Sequence, residues 1–302
     1  MTALHHNPAE PLPVADGWPA NLAAKRDALL RILAETGGAA VAFSGGIDST
    51  VVAQAAFLAL SERAVAVTAD SPSVARSDLE DACRLARHIG IRHVILATEE
   101  FSNPDYLRND GSRCYHCKTE LYDRLDSLLP SLGVCVICSG ANLDDLGDYR
   151  PGLTAAAEHH VRHPLQEAGC TKADVRALAR AWGLPNWNKP ASPCLSSRLA
   201  PGVAVTPERT ARVEAAERLL RGFGLSDCRV RLHDGELARL EVPPDAIARL
   251  AEPEPRATLC RELKALGFCF VTLDLEGFRS GSLNALIPLE MRQQFPRRET
   301  PP

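Results

Sequence analysis

No stretch of the sequence approaches the ~20 consecutive apolar residues that a membrane-spanning helix needs, and the first twenty residues carry no basic segment followed by an apolar one. Neither a membrane protein nor a secreted one is expected, and the expected location is cytoplasmic. An excess of positive charge is also missing. Lys and Arg number 34 against 38 Asp and Glu, a net of −4, which argues against a dominant nucleic-acid surface. Internal repeats and low-complexity tracts are absent.

What remains is an average soluble composition, 45% hydrophobic and 24% charged over 302 residues. At ~150 residues per domain that length suggests about two domains. Ten cysteines are many for such a chain. In a reducing compartment they do not imply a disulfide framework. Most are expected to be small buried hydrophobes, among them Cys83, Cys170, Cys228, Cys260 and Cys269.

Residues 1–20 hold four prolines and read as a flexible lead-in, and 293–302 as a flexible tail. From 21 to 185 strands alternate with helices. Leu29, Leu30 and Leu33 mark a helix ending at Gly37-Gly38, and Ala39 to Phe43 a strand. Thr50–Leu60 reads as a helix, Ala64–Thr68 and His93–Ala97 as strands, Lys118–Leu129 as a helix and Val134–Cys138 as the fourth strand. Ser77 with Glu80 predicts a capping box for a helix that closes at Gly90. The alternation predicts an α/β fold with a parallel sheet covered on both faces. Residues 186–206 read as a linker. Residues 207–292 read as a smaller C-terminal α+β domain for substrate or oligomerisation. Pro207 opens its first helix. Arg229–His233 and Leu237–Val242 form a hairpin there, and a strand at Phe268–Leu273 follows. A three-residue loop, Asp234-Gly235-Glu236, keeps the hairpin's apolar faces together by pairing Arg231 with Arg239 and Arg229 with Glu241.

The segment Ser44-Gly45-Gly46-Ile47-Asp48-Ser49 joins the first strand to the next helix. Glycines permit a tight turn and close approach of a ligand. Successive N–H groups and the helix N-terminus then favour an anion. Ser44 and Ser49 add hydroxyl donors. Asp48 repels a bare phosphate, so its expected partner is a Mg²⁺ ion bridging phosphates. The Walker A lysine and the third glycine of a dinucleotide fingerprint are both missing. The bland alternative is a capped glycine turn. The string resembles the PP-loop of ATP pyrophosphatases, which cleave ATP to AMP and pyrophosphate.

A second loop, Ser139-Gly140-Ala141-Asn142-Leu143-Asp144-Asp145, follows the fourth strand and is expected to face the first, with Asp148, Tyr149 and Arg150 next in line. Gly140 and Asp145 are therefore candidate nucleotide residues, and Asp144 reads equally as a solvated turn. Asp70, just past the second strand, reads as a nucleotide neighbour or as a strand-end cap.

Cys114-Tyr115-His116-Cys117 lies just before a helix, with spacing that suits a metal, a cluster or a redox pair. Cys194 is the obvious third thiol, flanked by Lys189 and Arg198, which would favour a thiolate. Cys135 and Cys138 share the spacing but read as packing in a buried strand. Arg198, Arg229 and Arg231 suit a phosphate or carboxylate, with a solvated strand face as the alternative for the last two. Glu217 reads as a metal or catalytic carboxylate, or as helix-surface charge.

Taken in order, SGGIDS, RCYHCK, SGANLDDLGDYRPG, KPASPCLSSR and VTLDLEGFRSGSLN resemble the LarE family of ATP-dependent sulfur transferases over residues 22–290. Ala141 departs from that pattern, which has Thr there, and a hydroxyl contact near the nucleotide is in doubt. The resemblance implies ATP, Mg²⁺, a small pyridinium dicarboxylate mononucleotide substrate of nickel-pincer cofactor biosynthesis, and a homo-oligomer. A carboxylate is adenylated and sulfur then displaces AMP. The family draws sulfur either from the cysteine at the position of Cys194, which becomes dehydroalanine, or from a 4Fe-4S cluster on three cysteines. Cys114, Cys117 and Cys194 match the cluster type. The competing readings are an ammonia-using ligase like NAD synthetase, an iron–sulfur carrier without ATP chemistry, and a tRNA thiolation enzyme.

Overall fold

The computed structural model describes residues 18–146, 150–279 and 282–286. Most of the proposed lead-in, the tail, Asp148, Tyr149 and the Ser280-Gly281 pair lie outside the described residues.

Helix α1 (Ala20–Ala34) precedes β1 (Ala39–Ala42), α2 (Ile47–Leu60), β2 (Ala64–Asp70), α3 (Arg76–Ile89) and β3 (Arg92–Ala97). Next come α4 (Pro104–Arg108), α5 (Arg113–Leu132), β4 (Val136–Cys138), α6 (Pro151–Glu158), α7 (Pro164–Glu167) and α8 (Lys172–Ala181). The first four strands form one parallel sheet in the order β3-β2-β1-β4. Alternate strand residues serve two cores. Ala39, Val41, Ala64 and Ala66 pack with α1, α2, α3 and α8, while Ala40, Val65, Val67 and Ile137 pack with α5 and α6. Helix α2 lies against the sheet with ten of its residues buried, so its apolar surface is not confined to one stripe.

The sequence is followed by α9 (Pro207–Gly222), β5 (Arg229–His233), β6 (Leu237–Glu241), α10 (Pro244–Ala251), α11 (Pro253–Ala265) and β7 (Phe270–Leu273). The hairpin has the expected register, Arg231 opposite Arg239 and Arg229 opposite Glu241, and Gly235 takes the left-handed turn at φ 69°. Strand β7 pairs parallel to β6. The core of this second sheet also takes in Tyr106 of α4 and Leu195 and Leu199 of the 186–206 segment. The two sheets are thereby tied together on the side that bears the cysteines.

Several local expectations need correction. Helix α3 starts at Arg76 with Ala75 as its cap, not with a Ser77–Glu80 box. The free Arg76 N–H is taken instead by Glu214 Oε1 of α9 at 2.7 Å. Helix α5 begins at Arg113 rather than Lys118, because Asp110 Oδ1 accepts both the N–H and the hydroxyl of Ser112 and turns the chain into the helix. Only Cys138, Cys170 and Cys228 among the ten cysteines are buried; Cys83 and Cys260 are intermediate and Cys135 and Cys269 exposed. Strand β4 starts at Val136, which leaves Cys135 outside it.

Candidate active site

Strand β1 leads to α2 on one side of the sheet, and β4 sits on its other edge, so the order reverses between them. Ligands of open parallel sheets sit at such a switch point, beyond the carboxyl ends of the strands. The Ser44–Ser49 loop lies there. Gly45 has φ +69° and packs on α3, where an added Cβ would stand 3.1 Å from the Ala82 Cα. The two serines fold the loop on itself: the Ser49 hydroxyl donates to Gly46 O at 3.0 Å and accepts from the Ser44 N–H at 3.2 Å. Asn186 Nδ2 clamps it from behind, donating to Gly45 O at 3.2 Å and Thr50 Oγ1 at 2.9 Å.

The loop after β4 faces this one closely. A Cβ on Gly140 would fall 2.6 Å from Ser49 N, so only glycine fits. Asn142 Nδ2 donates to Asp48 Oδ1 at 3.0 Å, and the Lys172 ammonium makes an ion pair with Asp48 Oδ2. Asp145 accepts from the Asn142 N–H at 2.9 Å and pairs with Arg150 at 2.8 Å. Burial holds its carboxyl above the usual range, and the charge of Asp48 adds to this. Asp48, Asp145 and Lys172 therefore form one polar group over the loop. Asp144 instead caps α8 by accepting from the Lys172 N–H at 2.8 Å. Asp70 ends β2 in an ion pair with Arg76 at 2.7 Å.

Lys172 is one residue to which the sequence alone assigned no role. Its signal was present as a lysine at a capped helix start, where Thr171 and Asp174 form a capping box.

The cysteines form a second locus. Cys114 and Cys117 stand three residues apart at the start of α5, on one helix face. Cys194 immediately precedes a short turn, Leu195–Arg198. The Arg113 guanidinium links Cys114 to the turn that follows Cys194. It donates to Ser196 O at 2.7 Å and contacts Cys114 Sγ at 3.8 Å. Burial works against its charge, but the sulfurs of Cys114 and Cys194 outweigh this and raise its pKa. The Cys117 thiol is pushed well up by burial, then by the charges of Glu100 and Cys194. No group of three His, Cys, Asp or Glu among the described residues is close enough to grip a single metal ion.

The cations expected to activate Cys194 are engaged elsewhere. Lys189 bridges Asp78 at 3.0 Å and Asp81 at 2.9 Å on α3. Arg198 is buried, donating to Glu217 at 2.9 Å and to the carbonyls of Pro193 and Cys194. Glu217 is 2% exposed, so it is not helix-surface charge; it anchors Arg198 and accepts the Val230 N–H. Arg231 is likewise buried and paired with Glu241 at 2.9 Å, not on a solvated face. Arg229 makes no ion pair among the described residues. It donates to Ala191 O at 3.0 Å and lies over the Phe278 ring, and burial, with Arg198 and Arg231 nearby, lowers its pKa.

A glycine–serine loop with an acidic residue, at the switch point of a parallel sheet, defines a PP-loop enzyme that activates its substrate with ATP. The family model for NAD synthase matches residues 25–103, which span the first three strands and this loop. A protein named pyridinium-3,5-bisthiocarboxylic acid mononucleotide synthase, from Lactiplantibacillus plantarum, is 40% identical over 267 residues, 88% of this chain and 95% of that protein. An uncharacterized protein from Synechocystis is 44% identical over 266 residues, 88% of this chain and 99% of its own length. A tRNA-specific 2-thiouridylase from Azorhizobium caulinodans is 30% identical over 191 residues, about half of each chain (50% and 48%). The chain belongs to the LarE family of ATP-dependent sulfur transferases. It is an ATP-dependent sulfurtransferase. No helix among the described residues is long and apolar enough to cross a membrane.

Proposed function

We propose that this enzyme adenylates a carboxylate of a pyridinium dicarboxylate mononucleotide and replaces AMP by sulfur, giving a thiocarboxylate. The observation that carries the sulfur half is the convergence of Cys114, Cys117 and Cys194 around Arg113 and Tyr106. The relative from L. plantarum is named for such a bisthiocarboxylic product.

ATP binds over the first sheet. The N–H groups of the Ser44–Ser49 loop and the α2 N-terminus face its phosphates, together with the Lys172 ammonium. Asp48 and Asp145 suit Mg²⁺, which takes one or two carboxylates and completes its shell with phosphate and water. A substrate carboxylate oxygen attacks the α-phosphorus, and pyrophosphate leaves. The anionic groups of the substrate meet Arg229, whose guanidinium has no acidic partner among the described residues. Arg198, held by Glu217, fixes the Cys194 carbonyl and so the position of its sulfur. Sulfur then adds to the acyl carbon and AMP departs. AMP is a far better leaving group than oxide, which is why adenylation precedes sulfur transfer. In this reading Asp70, at the end of β2 and paired with Arg76, is a neighbour of the nucleotide.

We assign Cys114, Cys117 and Cys194 as the three thiolate ligands of a 4Fe-4S cluster. The donors fit: thiolates are the ordinary ligands of such clusters, and Arg113 and Lys118 bring positive charge beside them. The group would carry a transferable sulfide on its fourth iron.

Iron and acid-labile sulfide per chain, after anaerobic purification, test this for the wild type and Cys117→Ser. About four irons in the wild type, lost in the variant, are expected. Iron-free protein that also resists anaerobic reconstitution would overturn the cluster and make Cys194 the sacrificial donor. That donor would lose one sulfur mass after a single turnover.

A further inference from the structure

Glu100 follows β3 at the carboxyl end of the first sheet and is 2% exposed. Its Oε1 accepts two hydroxyls, from Ser71 at 2.5 Å and Ser73 at 3.1 Å. Its Oε2 is buried and meets no donor among the described residues. A buried oxygen left without a partner costs about 1–3 kcal/mol, and more when charged. Such an atom calls for a partner in another state of the protein.

The surroundings lead from this oxygen to the cysteines. The Ser73 carbonyl accepts the N–H of Leu195, the residue after Cys194, at 2.8 Å. Phe101, next to Glu100, meets Tyr106 edge-on at 5.2 Å, and the Tyr106 hydroxyl bonds Ser196 Oγ at 2.7 Å. Cys117 packs into the same cluster as Phe101, Tyr106 and Leu195. Among the charges around the Cys117 sulfur, that of Glu100 acts on it most strongly. The orphan oxygen thus lies beside the segments that carry Cys117 and Cys194.

We propose that Glu100 Oε2 is the oxygen ligand of the iron that Cys114, Cys117 and Cys194 leave open, holding the position that the transferable sulfide takes. This rests on the cluster reading above. The two serine hydroxyls fix Oε1 and so point Oε2, as hydrogen bonds to a ligating carboxylate do. Loading is then a ligand exchange: the iron–carboxylate bond breaks as the iron–sulfide bond forms, and no electrons move. When sulfide leaves with the substrate, the carboxylate would return to the iron in place of a water molecule.

The test uses the full-length, anaerobically reconstituted protein, reduced and free of added sulfide, in water labelled with oxygen-17. Pulsed EPR of the wild type is expected to show no coupling from labelled water, and Glu100→Gln is expected to gain it. Sulfide, titrated by the change in the EPR signal, is expected to bind Glu100→Gln about tenfold more tightly, since no carboxylate competes for the iron. Labelled-water coupling already present in the wild type would overturn the assignment, and that measurement needs no variant to fold. A folded, iron-loaded Glu100→Gln with unchanged signal and sulfide affinity would overturn it as well. Failure of the wild type to take up iron would overturn the cluster itself, and is told apart by the iron count.

Discussion

The ammonium of Lys172, at the start of α8, is ion-paired with the carboxylate of Asp48 in the first turn of α2. The pair closes the mouth of the PP-loop from the side of β4. A cation in that place either competes with Mg²⁺ or moves onto the phosphates when they arrive. Lys172→Met is expected to weaken ATP binding about 10- to 100-fold, the worth of one hydrogen bond to a charged group. Calorimetric titration of ATP with Mg²⁺ checks this; unchanged affinity would place Lys172 outside the nucleotide site.

Gly140 offers a sharper substitution. An alanine methyl would meet backbone atoms of Ser49 at 2.6 Å and of Asp48 at 2.9 Å, none of which can rotate away. Gly140→Ala is expected to cost about 1–3 kcal/mol in stability by overpacking and to abolish pyrophosphate release. Denaturant melts and a pyrophosphate assay, run on the same preparation, check both.

Arg198 and Glu217 are both almost completely buried and face each other at 2.9 Å. Glu217→Gln leaves a guanidinium in the interior without its counter-charge, for an expected loss of about 3–5 kcal/mol. Changing both, Arg198→Met with Glu217→Leu, is expected to restore much of the stability and none of the sulfur transfer. Urea unfolding midpoints, set beside product formation, separate the two effects.

Asp174 supplies the clearest dependence on pH. Burial acts to raise its carboxyl pKa, but hydrogen bonds from Lys25 and Thr171 outweigh this and hold it below 3.8. A depressed folded value means that its stabilisation is complete above about pH 4 and is lost as pH falls through that lowered value. Asp174→Asn is expected to cost about 1 kcal/mol at pH 7, the usual worth of a cap, and to lose its effect in strong acid. Stability measured for both proteins from pH 7 down to pH 2 shows whether the curves converge.

Thiol labelling reads out the cysteine environments. Cys135 and Cys269 are exposed and bear no proposed ligand role. Cys138 is buried, with its thiol pushed up to about 12. Iodoacetamide at pH 8 is expected to modify the exposed pair within minutes and Cys138 only on unfolding, as peptide mass mapping would show.

The alternation of Ala39–Phe43 with the buried helix behind it made the parallel sheet legible, because strands covered on both faces must be apolar throughout. The hairpin register was equally readable, since only one loop length keeps Val230 and Leu240 on the same side. The PP-loop announced itself through its glycines. The origin of α5 did not, because a turn built by Asp110 on Ser112 leaves no apolar period to count. Nor did the pairing of Arg198 with Glu217 and of Lys189 with Asp78 and Asp81, which depends on distant segments meeting. Charges that looked available to ligands in the linear string were matched by partners that the fold supplies. Glu100 was passed over for the opposite reason: nothing in its neighbours along the chain shows that one of its oxygens is left dry.

The Cys194 carbonyl is held by Arg198, and Arg198 by Glu217 of α9. During synthesis, the ribosome must therefore deliver α9 well after Cys114 and Cys117 have emerged. Until then the nascent chain presents two cysteines without the third in its place. Whatever needs Cys194 in its place beside the other two must therefore wait until α9 has emerged and folded.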